Sequence, residues 1–134
     1  MRKHTILFLA ANPSGTDRLA LDREARAIQV ELERSRVLIP DLAGWRRERL
    51  PRLPDSRPVR VRPDWVCEIV SPTSARRDRV RKMNVYHAAG VPHYWLIDPQ
   101  DETLTVYRWT AEGYLHVLGA TREDRVRAEV EKLQ

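Results

Sequence analysis

Three residues have the types and spacing that metal-assisted phosphodiester hydrolysis requires. Asp41 ends a β-type run, Glu68 lies inside another, and Lys82 sits in the helical segment that follows. Carboxylates on two neighbouring strands can hold a hard cation such as Mg²⁺ or Mn²⁺. The cation polarises a phosphate and lowers the pKa of a bound water, while a lysine orients that water or stabilises developing charge. Geometry decides which aspartate belongs to the set. Asp64 and Glu68 are four apart in one extended segment, so they share a face but stand about 13 Å apart. Oxygen ligands sit at about 2.0 to 2.6 Å, so one ion cannot bridge that span. Asp41 lies 27 residues upstream of Glu68, enough for the chain to turn and lay a neighbouring strand alongside at about 4.8 Å. Asp41 is therefore taken, and Asp64 is read as a turn residue after Pro63.

Each of these residues also has a plainer reading. Asp after Pro is common in turns. Glu68 has apolar neighbours on both sides, and buried carboxylates are rare unless paired or metal-bound; a solvated edge strand is the competing reading. Lys82 beside Arg81 could be an ordinary solvated helix face. His87 and His93 flank Gly90 but have no third ligand nearby, which argues against a metal pair. Cys67, in a strand interior, reads as a small core residue and not a nucleophile. Trp65, Trp95 and Trp109 occupy strand positions that fit packing. Trp45, near Arg46, Arg47 and Arg49, could flank a nucleic-acid groove or pack the loop down. The Ser14-Gly15-Thr16 turn lacks the pattern of a nucleotide-binding phosphate loop.

The elements that must position these residues follow from periodicity. Thr5–Ala11 is a short apolar run ended by Asn12-Pro13, which reads as a buried strand. Leu21, Ala25, Ile28 and Leu32 recur at helical spacing, predicting an amphipathic helix from Thr16 or Asp17 to about Arg36. Val37-Leu38-Ile39 is a second strand-like run, stopped by Pro40-Asp41. From Gly44 to Pro63 the chain is dense in Arg and Pro and reads as a basic loop. Trp65–Val70 reads as a strand, Ala75–Ala89 as a helix with Gly90 just past its end, and His93–Asp98 as a buried strand. Leu104–Trp109 and Tyr114–Ala120 alternate around Thr110-Ala111-Glu112-Gly113, a hairpin signal. The tail from Arg122 to Gln134 fits either strand or frayed helix. The order is that of a mixed α/β sheet flanked by helices.

Composition bounds the answer. The chain has 134 residues, one cysteine, 24 basic against 19 acidic side chains and a net charge of +5. That length suits one compact unit. No apolar run approaches the ~20 residues of a membrane span. A lone cysteine excludes an internal disulfide framework and a cysteine-based zinc site, and makes a reducing, cytoplasmic setting the expectation. The basic balance is compatible with a polyanionic partner. Arginine accounts for 21 of the 24 bases, a bias that genome composition can also produce.

The segments VLIPDLAGWRRERLP (37–51), PDWVCEIVSPTSARRDRVRKMNVYHAAGVPHYWLIDP (63–99) and LTVYRWTAEGYLHVL (104–118) resemble the Uma-two branch of the PD-(D/E)XK nuclease superfamily. The resemblance spans residues 37–119. It implies a restriction-endonuclease-like fold and a DNA endonuclease, with Asp41 and Glu68 as ligands of Mg²⁺ or Mn²⁺. In the simplest superfamily pattern the lysine lies two residues after the glutamate. Val70 holds that place here, so the match is to the variant with the lysine on the following helix, as Lys82. Ser71 and Asp98 match recurring positions: Ser71 as a loop cap, Asp98 as a supporting residue or a turn before Pro99. DNA is the implied partner, with Arg46, Arg47, Arg49, Arg76, Arg77 and Arg79 placed for phosphate contacts. A homodimer is an arrangement such nucleases often use to cut both strands.

Residues 4–36 instead resemble the first strand and helix of a bacterial Toll/interleukin-receptor-like domain. The chain is accordingly expected to divide into a strand-helix unit of foreign origin, 1–36, and a nuclease domain, 37–134, with a shortened N-terminal part. Glu24 or Glu31 could replace an acid that the family's opening helix supplies. The rival expectations are a catalytically inactive DNA-binding or interaction remnant and, third, a signalling adaptor using the N-terminal unit.

Overall fold

The computed structural model describes residues 6–10, 29–32, 36–56, 58–72 and 76–124. In chain order the elements are β1 (Ile6–Ala10), β2 (Val30–Leu32), β3 (Arg36–Leu38), β4 (Leu42–Arg46), β5 (Trp65–Ile69), α1 (Arg76–Ala88), β6 (His93–Asp98), β7 (Thr103–Thr110) and β8 (Gly113–Thr121). Six strands form one mixed sheet in the order β1-β4-β5-β6-β7-β8, and β2 and β3 form a separate pair. Within the large sheet β5 and β6 are parallel, Trp65 opposite His93, and the other described pairs are antiparallel. A parallel pair needs a long crossover. The chain between β5 and β6 supplies it, with α1 at its centre.

Alternation along β5 sorts its side chains onto two faces. Val66 joins the main core with Ala43, Trp45, Val85, Tyr86, Val91 and Tyr94. Trp65 and Cys67 point the other way and cluster with Leu42, Trp95 and Ile97. The rings of Trp65 and Trp95 meet edge-on at 5.2 Å. Burial on both faces explains why WVCEI reads as an almost unbroken apolar run. Glu68 shares the face of Val66, beneath α1. Cys67 is a fully buried thiol whose pKa burial raises far above its usual range, so it stays protonated and packs as a small hydrophobe.

α1 is strongly polar, and Val85 and Tyr86 are its buried residues. Its C-terminus fixes it in place. Gly90 adopts a left-handed φ of 75°, its N–H donates to the His87 carbonyl, and the Val91 N–H donates to the Tyr86 carbonyl. That is the Schellman pattern, with Val91 buried against Tyr86 as its apolar contact. The β6–β7 turn is set by Asp98, whose Oδ1 accepts the N–H groups of Gln100 and Asp101, both at 3.0 Å. Val117 is the extra residue of a bulge in β8, where the register steps between Val106 and Tyr107.

Several sequence expectations need correction. The helix predicted to run to Arg36 does not: Val30–Leu32 is a strand paired with Arg36–Leu38. The triplet Val30-Glu31-Leu32 satisfies both periods, and burial of Val30 and Leu32 on either side of a half-exposed Glu31 selects the period of two. The part of that helix before Gln29 lies outside the described residues, as do the Ser14-Gly15-Thr16 turn, Glu24 and the tail from residue 125. β1 occupies the expected first strand and pairs with β4 in the main sheet. The supposed loop from Gly44 to Pro63 begins as a strand through Arg46, and its irregular remainder is tied down. Val59 forms a bridge to Val30, and the Trp45 indole N–H donates to the Val61 carbonyl at 2.8 Å. Trp45 is 0% exposed. It packs the loop down and flanks no groove.

His93 is buried at the start of β6, and neither ring nitrogen has a hydrogen-bond partner. Burial first, then the nearby Arg46 and Arg108, push its pKa down to about 4, against a smaller opposing pull from Asp64. The unfolded chain takes up a proton here below pH ~6.5, while the folded chain resists until about 4. The His93 contribution to stability should therefore fall as pH drops through that window, by on the order of 2 kcal/mol, against the opposite trend of Glu68, whose pKa burial raises to about 7. Urea denaturation of the native protein and of His93→Phe at neutral and acidic pH isolates it: on acidification the native protein should lose more stability, or gain less, than the variant. The same pH dependence in both would assign the change to other groups.

Candidate active site

β4 and β5 are antiparallel with Leu42 opposite Cys67. One further step along this register sets Asp41, the residue just before β4, opposite Glu68. Directly opposed residues of antiparallel strands present side chains on the same face, with Cβ atoms about 4.5 to 5.5 Å apart. The side chains behave accordingly. Asp41 Oδ2 accepts the Ile69 N–H at 2.6 Å, and the Asp41 carboxyl is near enough to Glu68 to push that group's pKa up. Asp41 thus opens β4 and does not close β3; the intervening Ile39-Pro40 breaks the two strands apart.

α1 supplies the rest of the cluster. Tyr86 donates its hydroxyl to Glu68 Oε1 at 2.6 Å, and Lys82 Nζ lies 3.6 Å from Glu68 Oε2. The two helical residues are four apart and so project from one face. Each Glu68 oxygen has one partner from that face. Lys82 also approaches Asp78 Oδ2 at 3.8 Å. Burial raises the Glu68 pKa to about 7; the Tyr86 hydrogen bond and Lys82 hold it down, and Asp41 pushes it up. Glu68 therefore takes up a proton near neutrality, and a divalent cation can take that proton's place.

The remaining expected site residues are spread more widely. Asp98 turns the chain at the end of β6. Ser71 is exposed just beyond β5. Arg76 and Arg77 are exposed at the start of α1, and Arg47 is exposed after β4. Arg79, half-buried one turn before Lys82, lies close enough to Tyr94 to pull its phenol pKa down against burial and the charge of Glu68, which together raise it above the usual range. Arg49 is a structural partner: its Nη1 donates to Asp64 Oδ1 at 2.6 Å and to the Arg62 carbonyl at 2.9 Å. His87 and His93 do not meet at a common site. The His87 ring bonds the Thr110 carbonyl at 2.7 Å and stacks on Trp109. Glu31 pairs with Arg60.

Sequence reasoning missed two residues. Asp64 is a buried carboxylate, accepting from the Arg46 N–H at 2.7 Å as well as from Arg49. It pins the end of β4 and so helps hold Asp41 opposite Glu68. Its partners are 15 and 18 residues away, and local spacing carries no trace of them. Tyr86 had an available signal, its position one turn beyond Lys82.

A family model described as "Putative restriction endonuclease" (Uma-two) matches residues 6–132, and the chain belongs to that family. The match takes in the segment whose resemblance to a Toll/interleukin-receptor-like unit was expected, and no comparison supports that second resemblance. The crystal structure of a putative nuclease belonging to DUF820 from Anabaena variabilis is similar in fold, with a TM-score of 0.59 at 21% sequence identity. The alignment covers 79% of this chain and 64% of that one, so this chain spans under two thirds of its neighbour's length. No curated protein matches. The fold is α/β and restriction-endonuclease-like. Among the described residues no helix is long and apolar enough to cross a membrane.

Proposed function

We propose that this chain is a metal-dependent endonuclease that hydrolyses DNA phosphodiester bonds. The observation that carries the reading is the convergence of the Asp41 and Glu68 carboxyls from opposed positions, with Lys82 beside them. The family's description and that of the structural neighbour, a putative nuclease, support the same class. No group of three or more His, Cys, Asp and Glu side chains converges among the described residues. Mg²⁺ needs no such cage, since one or two carboxylates complemented by waters and substrate phosphate suffice.

Asp41 and Glu68 are the residues that would hold Mg²⁺ or Mn²⁺. When bound, the ion supplies charge to the phosphoryl oxygens and acidifies a water. The protein's own part is positional. The Ile69 N–H orients Asp41, Tyr86 orients Glu68, and the Lys82 ammonium directs the attacking water or balances charge as water adds to phosphorus and the ester P–O bond breaks. Arg47, Arg76 and Arg77, with Arg79 beside the site, provide cations for the flanking backbone. Incubation with supercoiled plasmid tests the reading. Nicked or linear product is expected with Mg²⁺ or Mn²⁺ and none with chelator; intact plasmid under all these conditions would overturn it.

Tyr86→Phe removes a hydrogen bond that lowers the Glu68 pKa. The metal-competent carboxylate form exists above that pKa, so cleavage should rise with pH through about 7 in the native protein. In the variant the rise should move to higher pH, with about a tenfold loss at neutrality. A uniform loss with no shift in the profile would make Tyr86 a packing residue only.

A further inference from the structure

Away from the carboxylate cluster, a cavity of about 450 Å³ is lined by Glu31, Leu32, Arg49, Arg60, Arg62 and Ala89. Two of its three guanidiniums already have carboxylate partners: Arg49 pairs with the buried Asp64 at 2.6 Å, and Arg60 pairs with Glu31 at 2.9 Å. Arg62 differs. Among the described residues it has no carboxylate partner, and its Nε is buried without any hydrogen-bond partner. Gly90 turns the end of α1 at a left-handed φ, and a Cβ there would come within 3.3 Å of Arg62 Nη1. The nearby Tyr114 hydroxyl is spent on the Val91 carbonyl and is not available to Arg62 as a counter-charge. With three arginines against Glu31 and Asp64, the cavity carries a net positive charge and one unsatisfied buried donor. The Nε is closed off, so an anion in the cavity would meet the outer edge of the half-buried guanidinium and balance a charge that no described carboxylate neutralises.

We propose that this cavity is a phosphate pocket with Arg62 as its principal donor, gripping a backbone phosphate of bound nucleic acid remote from the scissile one. The proposal rests on the nucleic-acid reading above for the source of the phosphate, and on the cavity alone for its chemistry. Ala89 in its wall is seven residues beyond Lys82, about 10 Å along the helix axis. That is the axial rise of about three nucleotides of one DNA strand, so a strand crossing the carboxylate cluster could reach both.

The test uses the full chain in chelator, so that nothing is cut. A fluorescent DNA duplex is titrated by anisotropy across a salt series, and inorganic phosphate is followed by thermal shift. Arg62→Gln is expected to bind the duplex roughly tenfold more weakly, with the slope of log affinity against log salt reduced by about 1, and to lose the stabilisation by inorganic phosphate. Arg62→Lys should recover part of both. A folded Arg62→Gln protein with native affinity and slope would overturn the proposal and leave Arg62 as a cation at the end of α1. If Arg62→Gln does not fold, Arg60→Gln decides, because the Arg60 side chain is 80% exposed: weaker duplex binding supports the pocket, and no change overturns it. A native protein stabilised by inorganic phosphate through Arg62 but blind to DNA would overturn the nucleic-acid source and count against the proposed function, while upholding the oxyanion pocket.

Discussion

Replacing Glu68 by alanine should lower Mg²⁺-dependent DNA cleavage by about 10³-fold or more while duplex binding stays measurable. The reason lies in where Glu68 sits. It is a buried carboxyl with one oxygen on Tyr86 and the other near Lys82, and it faces Asp41. Without it, Asp41 alone would have to hold the cation. The alanine variant also leaves the Tyr86 hydroxyl without its acceptor inside the core, a defect of about 1 to 3 kcal/mol. Glu68→Gln keeps an oxygen for Tyr86 and should lose activity to a similar extent with its fold undisturbed. Cleavage assays on both variants, beside thermal melts, separate the chemistry from the packing. Native cleavage in Glu68→Gln would remove Glu68 from the mechanism.

The largest effect on stability is expected at Trp45. Its side chain is fully buried in the main core, and its indole N–H anchors the loop at Val61. Truncation to alanine should cost about 3 to 5 kcal/mol, and for a domain of this size that approaches the whole margin of stability. The damage should reach the site as well, because Trp45 lies on β4, the strand that Asp41 opens. Urea denaturation of Trp45→Ala measures it. A loss under about 1 kcal/mol would mean that the loop is held by Val59 and the Arg49–Asp64 pair without the tryptophan.

How much of this is legible in the sequence varies with how local the cause is. β6 has the bounds its apolar run predicts. The β7–β8 hairpin forms around Ala111-Glu112 as its alternation indicates, and α1 ends before Gly90 because only that residue takes the left-handed turn without strain. Each of those signals lies within a few residues of the element it defines. β4 escapes such a reading because its pairing is long-range, and β2 because a helical pattern runs through the short hairpin it forms with β3. Val30-Glu31-Leu32 continues a helical pattern until Val59 and Leu38 are brought against it. Gly44-Trp45-Arg46 reads as loop until β1 and β5 flank it.

The site follows the same division. That Asp64 cannot share an ion with Glu68 is a matter of strand spacing and needs no structure. That Asp41 can do so requires a neighbouring strand, and the β4–β5 register supplies one, although Asp41 leads that strand where the sequence pattern has it closing the one before. Charge alone groups Arg49 with the phosphate-contacting bases. Its ion pair with Asp64 spans 15 residues and redirects it to holding the loop.

The most direct measurement is anomalous diffraction from crystals of the native protein soaked in Mn²⁺. Asp41 and Glu68 should bracket one strong peak, each with an oxygen within about 2.0 to 2.6 Å of it, and Glu68→Gln crystals should lack that peak. A fully soaked native crystal with no peak between these two side chains, or with its manganese held elsewhere, would contradict the assignment.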